Sequence, residues 1–119
     1  MVNVQNINYR GALCIDTTTN NQIITRPDVN LITISGWAVS DDTNASVRIL
    51  LDGNIVINNA TRNQRADVDR IVSPEYGGAS LTPKAGFSGT IDISNQNAGM
   101  HRIKVEEISR YGNVVAVQE

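Results

Sequence analysis

Cysteine, histidine and aromatic residues are all scarce in this chain of 119 residues, which contains one cysteine, one histidine and 4% aromatics. A single cysteine, Cys14, excludes an internal disulfide and a metal site built from several cysteines. Its position between Leu13 and Ile15 predicts a small core residue. No apolar run approaches the length of a membrane-spanning helix, so we expect no membrane contact.

Neither positive nor negative charge predominates in the sequence. Ten Lys and Arg residues stand against twelve Asp and Glu residues, a net charge of −2, and the two signs are interspersed along the chain. Nucleic-acid-binding proteins present a clustered basic surface to the phosphates. The sequence therefore predicts no nucleic-acid partner.

Catalytic motifs are also missing. A hydrolase needs a pair of carboxylates, or a nucleophile with its base, and the sequence has no phosphate-binding glycine loop and no zinc motif. His101, the single histidine, begins a strand pattern after Gly99, and we expect its ring to bond a neighbouring turn. We therefore expect a protein that is not an enzyme and holds no cofactor.

Strand patterns, by contrast, are abundant. The run from Leu31 to Ser40 and the run from Ala45 to Gly53 are rich in β-branched residues and are joined by four turn formers, which predicts an antiparallel hairpin. Apolar alternation also marks shorter strands at 11–16, 54–58, 86–93, 101–109 and 114–117. Since no segment keeps a 3.6-residue period, we expect an all-β antiparallel sandwich of about seven strands. Residues 11–119 form its domain, and residues 1–10 are a linker or an edge strand.

One long irregular insert, about residues 60–85, interrupts this pattern. Connections of such length are unusual in a compact domain. Helix-forming residues at 65–71 are enough for one helical turn. We expect the insert to fold over one outer face of the sandwich, through Val68, Ile71 and Tyr76.

Trp37 is the residue whose position most affects function. Strict alternation places it on the face opposite Ile34 and Ala38. Either a bulge at Ser35 and Gly36 rotates it inward, or it stays outside, where the insert covers it or a ligand uses it.

Glycan binding is the main candidate activity, because sugar sites combine exposed rings with planar polar groups. The candidate rings are Trp37, Tyr76 and Tyr111, and the candidate polar partners are Arg62, Arg65 and Asp67. In the alternative, Trp37 packs beneath the insert, and Arg65 and Asp67 form a structural ion pair. Asp41 and Asp42, in the hairpin turn, are candidate calcium ligands, although adjacent turn carboxylates are usually solvated.

Several short motifs occur together in a fixed order: Ile-Ser-Gly-Trp-Ala at 34–38, Leu-Asp-Gly at 51–53, Arg-x-Asp-Val at 65–68, Tyr76, Gly-Phe at 86–87, Gly-x-His-x-Ile-x-Val at 99–105 and Gly-Asn at 112–113. In this order they resemble an immunoglobulin-like accessory module of secreted and surface proteins of Gram-positive bacteria, often attached to cell-wall hydrolases. The chain departs from the family pattern at Ala66, where proline is common, and at Glu107, where a small apolar residue is usual.

The resemblance implies an immunoglobulin-like β-sandwich without activity of its own. We expect an extracellular or cell-surface location, a monomer, covalently attached neighbouring domains and cell-wall glycan as the candidate ligand. The module would then be a spacer or a targeting domain for a hydrolase. An adhesin or structural surface repeat that makes protein contacts is the alternative.

Overall fold

The computed structural model of the protein describes residues 9–16, 21–24, 31–71, 84–96 and 99–119. These residues contain nine strands and one short helix. The elements are β1 (Gly11–Ile15), β2 (Asn21–Ile24), β3 (Leu31–Ser40), β4 (Ser46–Leu51), β5 (Asn54–Ile57), β6 (Thr61–Asn63), α1 (Ala66–Ile71), β7 (Gly86–Asp92), β8 (Gly99–Ile108) and β9 (Val114–Gln118).

The strands form two antiparallel sheets that pack as a sandwich. The first has the order β1-β3-β7-β6. In the second the order is β2-β8-β4-β5, and β9 also pairs with β8. The orders β1-β3-β7-β6 and β4-β8-β9 correspond to strands A-B-E-D and C-F-G of an immunoglobulin sandwich. The predicted all-β sandwich is therefore confirmed.

The core lies between the two sheets and consists almost entirely of aliphatic side chains and Phe87. Alternation along each strand sends these residues to the inner face, as the sequence predicted for the long hairpin and for 86–93 and 101–109. The buried core residues are Ile15, Ile34, Ala38, Val47, Ile49, Leu51, Ala60, Phe87, Ile91, Ile93, Ile103 and Val105.

Two details differ from the prediction. The described residues contain nine strands, somewhat more than the predicted seven, because β2 and β6 carry little apolar alternation: no strand is predicted at 21–24, and β6 lies in the predicted insert. Cys14 is half-buried on the outer face, since Leu13 and Ile15 take the inward positions on either side of it.

Part of the predicted insert is regular structure. It begins with β6, which pairs with β7, and continues into α1, so the predicted helical turn is confirmed. A helix of six residues has little stability of its own and depends on packing. The predicted contact of Tyr76 and most of the predicted linker, residues 1–8, lie outside the described residues.

Candidate functional site

Trp37 lies on the outer face of the first sheet. The pairing of β3 with β1 and with β7 runs without a register shift through Ser35 and Gly36, so no bulge turns the indole inward. The ring is half-buried and packs against a small cluster formed by Val39, Val68 and Ala85. The predicted contact through Val68 is confirmed, whereas the side chain of Ile71 lies outside the described residues.

Arg65 covers the sheet beside this cluster. A β-carbon on Gly86, the cross-strand partner of Trp37, would lie 2.8 Å from Arg65 Cγ. Arg65 Nε and Nη2 donate to the two carboxylate oxygens of Asp67, at 3.0 and 2.9 Å, and Nη1 donates to Asp16 at 2.6 Å. These bonds raise the pKa of Arg65 and lower the pKa of Asp67 to about 2. Arg65 and Asp67 thus form the predicted ion pair, and the additional bond from Arg65 to Asp16 connects the start of α1 to the end of β1.

Arg62, the third polar candidate, points into the protein. Its Nε donates to the carbonyl of Gly86 at 3.1 Å, and its Nη2 donates to the carbonyls of Ala38 and Ala85 at 2.6 and 3.3 Å. Burial lowers the pKa of Arg62, although the nearby Glu107 opposes this effect. Arg62 therefore binds main chain of the first sheet at the end of β3.

Tyr111 lies elsewhere, in the turn between β8 and β9, and no described contact joins it to Trp37. It is 49% exposed and stacks on Tyr9, with 6.1 Å between ring centroids and an angle of 25° between ring planes. The Arg110 guanidinium carbon lies 5.3 Å from the Tyr9 ring centroid, in cation–π geometry. We call Tyr9, Tyr111 and Arg110 the tyrosine platform.

Asp42 holds the platform in place. Only 2% of this residue is exposed, and its carboxylate accepts hydrogen bonds from Arg110 N, Arg110 Nε and Asn44 N at 2.7, 2.8 and 2.9 Å. Burial opposes ionisation of Asp42, but the hydrogen bonds and charge of Arg110 outweigh it and lower the pKa. Asp41 accepts from Arg10 N and Nε at 2.7 and 3.0 Å.

These contacts weigh against calcium binding by Asp41 and Asp42, because each carboxylate is already hydrogen-bonded to an arginine. Within the described ranges no group of three His, Cys, Asp or Glu residues could hold a metal ion. A cation at this turn would have to displace Arg110 from Asp42.

Glu107 is the most unusual residue of the interior. It is fully buried, at 0% exposure, in line with Ile103 and Val105 on the inner face of β8. Neither carboxyl oxygen has a hydrogen-bond partner among the described residues. Burial raises the pKa of Glu107 to about 8, with Asp42 and Asp41 adding to the shift and Arg62 opposing it.

His101 bonds a turn, as the sequence predicted. Its Nδ1 lies 2.6 Å from Asp52 Oδ2, and Asp52 Oδ1 accepts the Arg102 N–H at 2.9 Å. The main-chain hydrogen bond of Arg102 and the contact with His101 lower the pKa of Asp52. The Asp52 carboxylate thus joins the turn after β4 to β8.

Sequence reasoning missed Tyr9, Arg110 and the role of Glu107. Tyr9 belonged to the predicted linker, and nothing local connects it with Tyr111. A signal for Glu107 was available, because it continues the inward series Ile103, Val105 at a spacing of two residues.

Comparison of this chain with known proteins finds no matching family model, no matching curated protein and no matching solved structure. Among the described helices none is long and apolar enough to cross a membrane.

Proposed function

We propose that this protein is a non-catalytic sandwich module of an extracellular bacterial protein that binds cell-wall glycan through the tyrosine platform. Attached to a hydrolase, it would act as a spacer and a weak targeting domain. The observation that carries the proposal is the stack of the half-buried Tyr9 on the exposed Tyr111, beside an arginine held by a buried carboxylate. The family resemblance of the sequence supports the location and the neighbouring domains.

The chemistry of the platform suits a sugar ring. Pyranose C–H groups pack on aromatic faces, and charged planar groups at the edge of the ring accept or donate hydrogen bonds to hydroxyls. The Arg110 Nη2 group contacts Asp42 Oδ1 at 2.7 Å and donates to Thr43 Oγ1 at 3.3 Å, so its orientation is set before a ligand arrives. A preorganised group costs less entropy on binding than a free one.

Weak binding is sufficient for targeting. A tethered module that occupies the wall raises the local concentration of its attached catalytic domain without taking part in the reaction. The proposal therefore requires only an affinity on the order of 0.1 to 1 mM for a wall fragment.

Sedimentation with purified Gram-positive cell walls tests this function. We expect wild-type protein to sediment with the walls and Tyr111→Ala to lose at least about tenfold in affinity. Val117→Ala, at an exposed apolar position of β9, is the matched control and should bind as wild type does. Equal binding by the wild type and Tyr111→Ala, or no binding by either, would exclude the platform as a glycan site.

An adhesin or structural surface repeat is the second candidate, and one observation favours it. β5 is the last strand of the second sheet among the described strands, and its Ile55 and Val56 side chains are 50% and 42% exposed. Such an edge can accept an added strand from a protein partner. Val56→Lys would abolish a protein contact made there and leave wall sedimentation unchanged.

A further inference from the structure

We propose that Glu107 is a proton-controlled switch for the start of β1. The neutral carboxyl allows Gly11 and the preceding Tyr9 to dock, and ionisation of the carboxyl loosens them. The consequence for ligand binding, release of the glycan when Glu107 ionises, rests on the proposed function of the tyrosine platform.

The Glu107 carboxyl lies against the start of β1. A β-carbon on Gly11 would overlap Glu107 Oε1 and would lie 2.7 Å from Val115 Cγ2. The carboxyl therefore packs directly against the main chain at the beginning of β1, where Gly11 also lies close to Val115 of β9. Because Glu107 is fully buried, its oxygens can reach water only if one of these neighbours moves.

One positive and two negative side chains act on the Glu107 carboxyl. Arg62 faces it from β6, and Asp41 and Asp42 face it from the turn after β3. Arg10, which immediately precedes β1, is paired with Asp41. The cross-strand neighbours of Glu107, Ala116 on β9 and Val47 on β4, carry no charge. Among the described residues, the hydrogen bonds of Arg62 run to three main-chain carbonyls, so Arg62 offsets a charge on Glu107 only at a distance.

Ionisation would place a buried charge on Glu107 without a hydrogen-bond partner among the described residues. A carboxylate without hydrogen-bond donors is strongly unfavourable in the interior, whereas a neutral carboxyl is tolerated. With the pKa raised to about 8, the carboxyl ionises in mildly alkaline solution. The ionised group then gains free energy by reaching water.

The start of β1 is held less firmly on the side of β9 than on the side of β3, with which it forms a main-chain ladder. In the described part of the chain β1 and β9 share no ladder of main-chain hydrogen bonds, and Ile15 N instead donates to Gln118 Oε1 at 2.7 Å. Displacement of Gly11 on this side must also break the bonds that hold Arg10 to Ser40 and Asp41, and Tyr9 moves with Arg10. The stack of Tyr9 on Tyr111 is then lost.

Hydrogen exchange of the ligand-free protein, read by mass spectrometry at about pH 6 to 9.5 and corrected for the intrinsic rate, tests the switch. We expect protection of a peptide covering β1 to fall at least about tenfold with a midpoint near pH 8, while protection of β7 stays constant. Glu107→Gln, which keeps the shape and removes the charge, should show constant protection. If Glu107→Gln does not fold, Glu107→Met serves the same purpose.

Glu106→Gln is the matched control. Glu106 is the neighbouring carboxylate and pairs with Arg48 at 2.6 Å, so its substitution should leave the β1 transition in place. An identical loss of protection in wild type and Glu107→Gln, or no loss in wild type, would overturn the switch.

Wall sedimentation at about pH 6 and pH 9 separates the two proposals. Release at the higher pH by wild type, but not by Glu107→Gln, supports both. A hydrogen-exchange transition without wall binding at either pH supports the switch and overturns the glycan function. Wall binding without the hydrogen-exchange transition supports the glycan function and overturns the switch.

Discussion

Arg110 donates two hydrogen bonds to the Asp42 carboxylate, from its main-chain N–H at 2.7 Å and from its guanidinium Nε at 2.8 Å. These bonds join the turn after β8 to the turn after β3, and the same guanidinium lies over the Tyr9 ring. A buried carboxylate in one turn thereby determines the orientation of an exposed aromatic surface in another.

Asp42→Asn should destabilise the protein by about 2 to 3 kcal/mol at neutral pH, because it leaves Arg110 without its charged partner. Urea unfolding checks this value. Asp41→Asn is the matched control, since the Arg10 side chain of that pair is 64% exposed, and it should cost less than about 1 kcal/mol. Equal losses in the two variants would contradict the special role of Asp42.

Glu107 should make the protein less stable as pH rises. The pKa of this carboxyl is about 8 in the folded protein and near 4.5 when unfolded, so between these values the folded state holds one proton more than the unfolded state. The free energy of unfolding should therefore decrease with pH across that range, by up to about 1.4 kcal/mol per pH unit, and level off above it.

Urea unfolding at a series of pH values measures this dependence. Glu107→Gln should remove most of the slope and should be more stable than wild type at about pH 8. A slope that is the same in both proteins would show that other groups cause it.

Gly36→Ala should prevent folding or cost more than about 3 kcal/mol, because the new methyl group would overlap the main-chain oxygen of Cys14. Gly112→Ala is the comparison. Gly112 has a φ of +83° in open space, so the added methyl meets no atom and the cost is conformational, about 1 kcal/mol. Thermal unfolding of the two variants should separate them clearly, and similar losses would contradict the close approach of β1 to Gly36.

Trp37 should report on the helix that packs near it. Since the indole is half-buried in the cluster with Val68, acrylamide should quench its fluorescence less than that of a free indole and more than that of a buried one. Trp37→Ala should cost about 2 to 3 kcal/mol, and Trp37→Phe less than half of that. Quenching as strong as in the unfolded protein would show that α1 does not cover the ring.

The local pattern of the chain was enough to predict most strands and the inner face of the sandwich. Alternation at Val47, Ile49 and Leu51, and at Ile103 and Val105, identified core positions that are all buried. The strands β2 and β6 were missed because they carry few apolar residues, and pairing partners rather than composition make them strands. The predicted domain boundary at residue 11 stays a prediction.

The candidate site was harder to predict, because it too depends on contacts between distant parts of the chain. Arg65 and Asp67 lie two positions apart, so their pairing could be anticipated, and the structure contains it. Tyr9 and Tyr111 come from opposite ends of the chain. They meet only because the start of β1 and the end of β8 lie at the same side of the sandwich.

The sequence by itself determined most of the strands and the aliphatic core, because these depend on side-chain periodicity within a few residues. Only the tertiary structure decided that Trp37 is covered from outside, that Arg110 lies between Asp42 and Tyr9, and that Glu107 packs against Gly11 without a hydrogen-bond partner among the described residues. Each of these contacts joins segments far apart in the chain. Which segments meet is set by the order of strands in the two sheets, and no local pattern encodes that order.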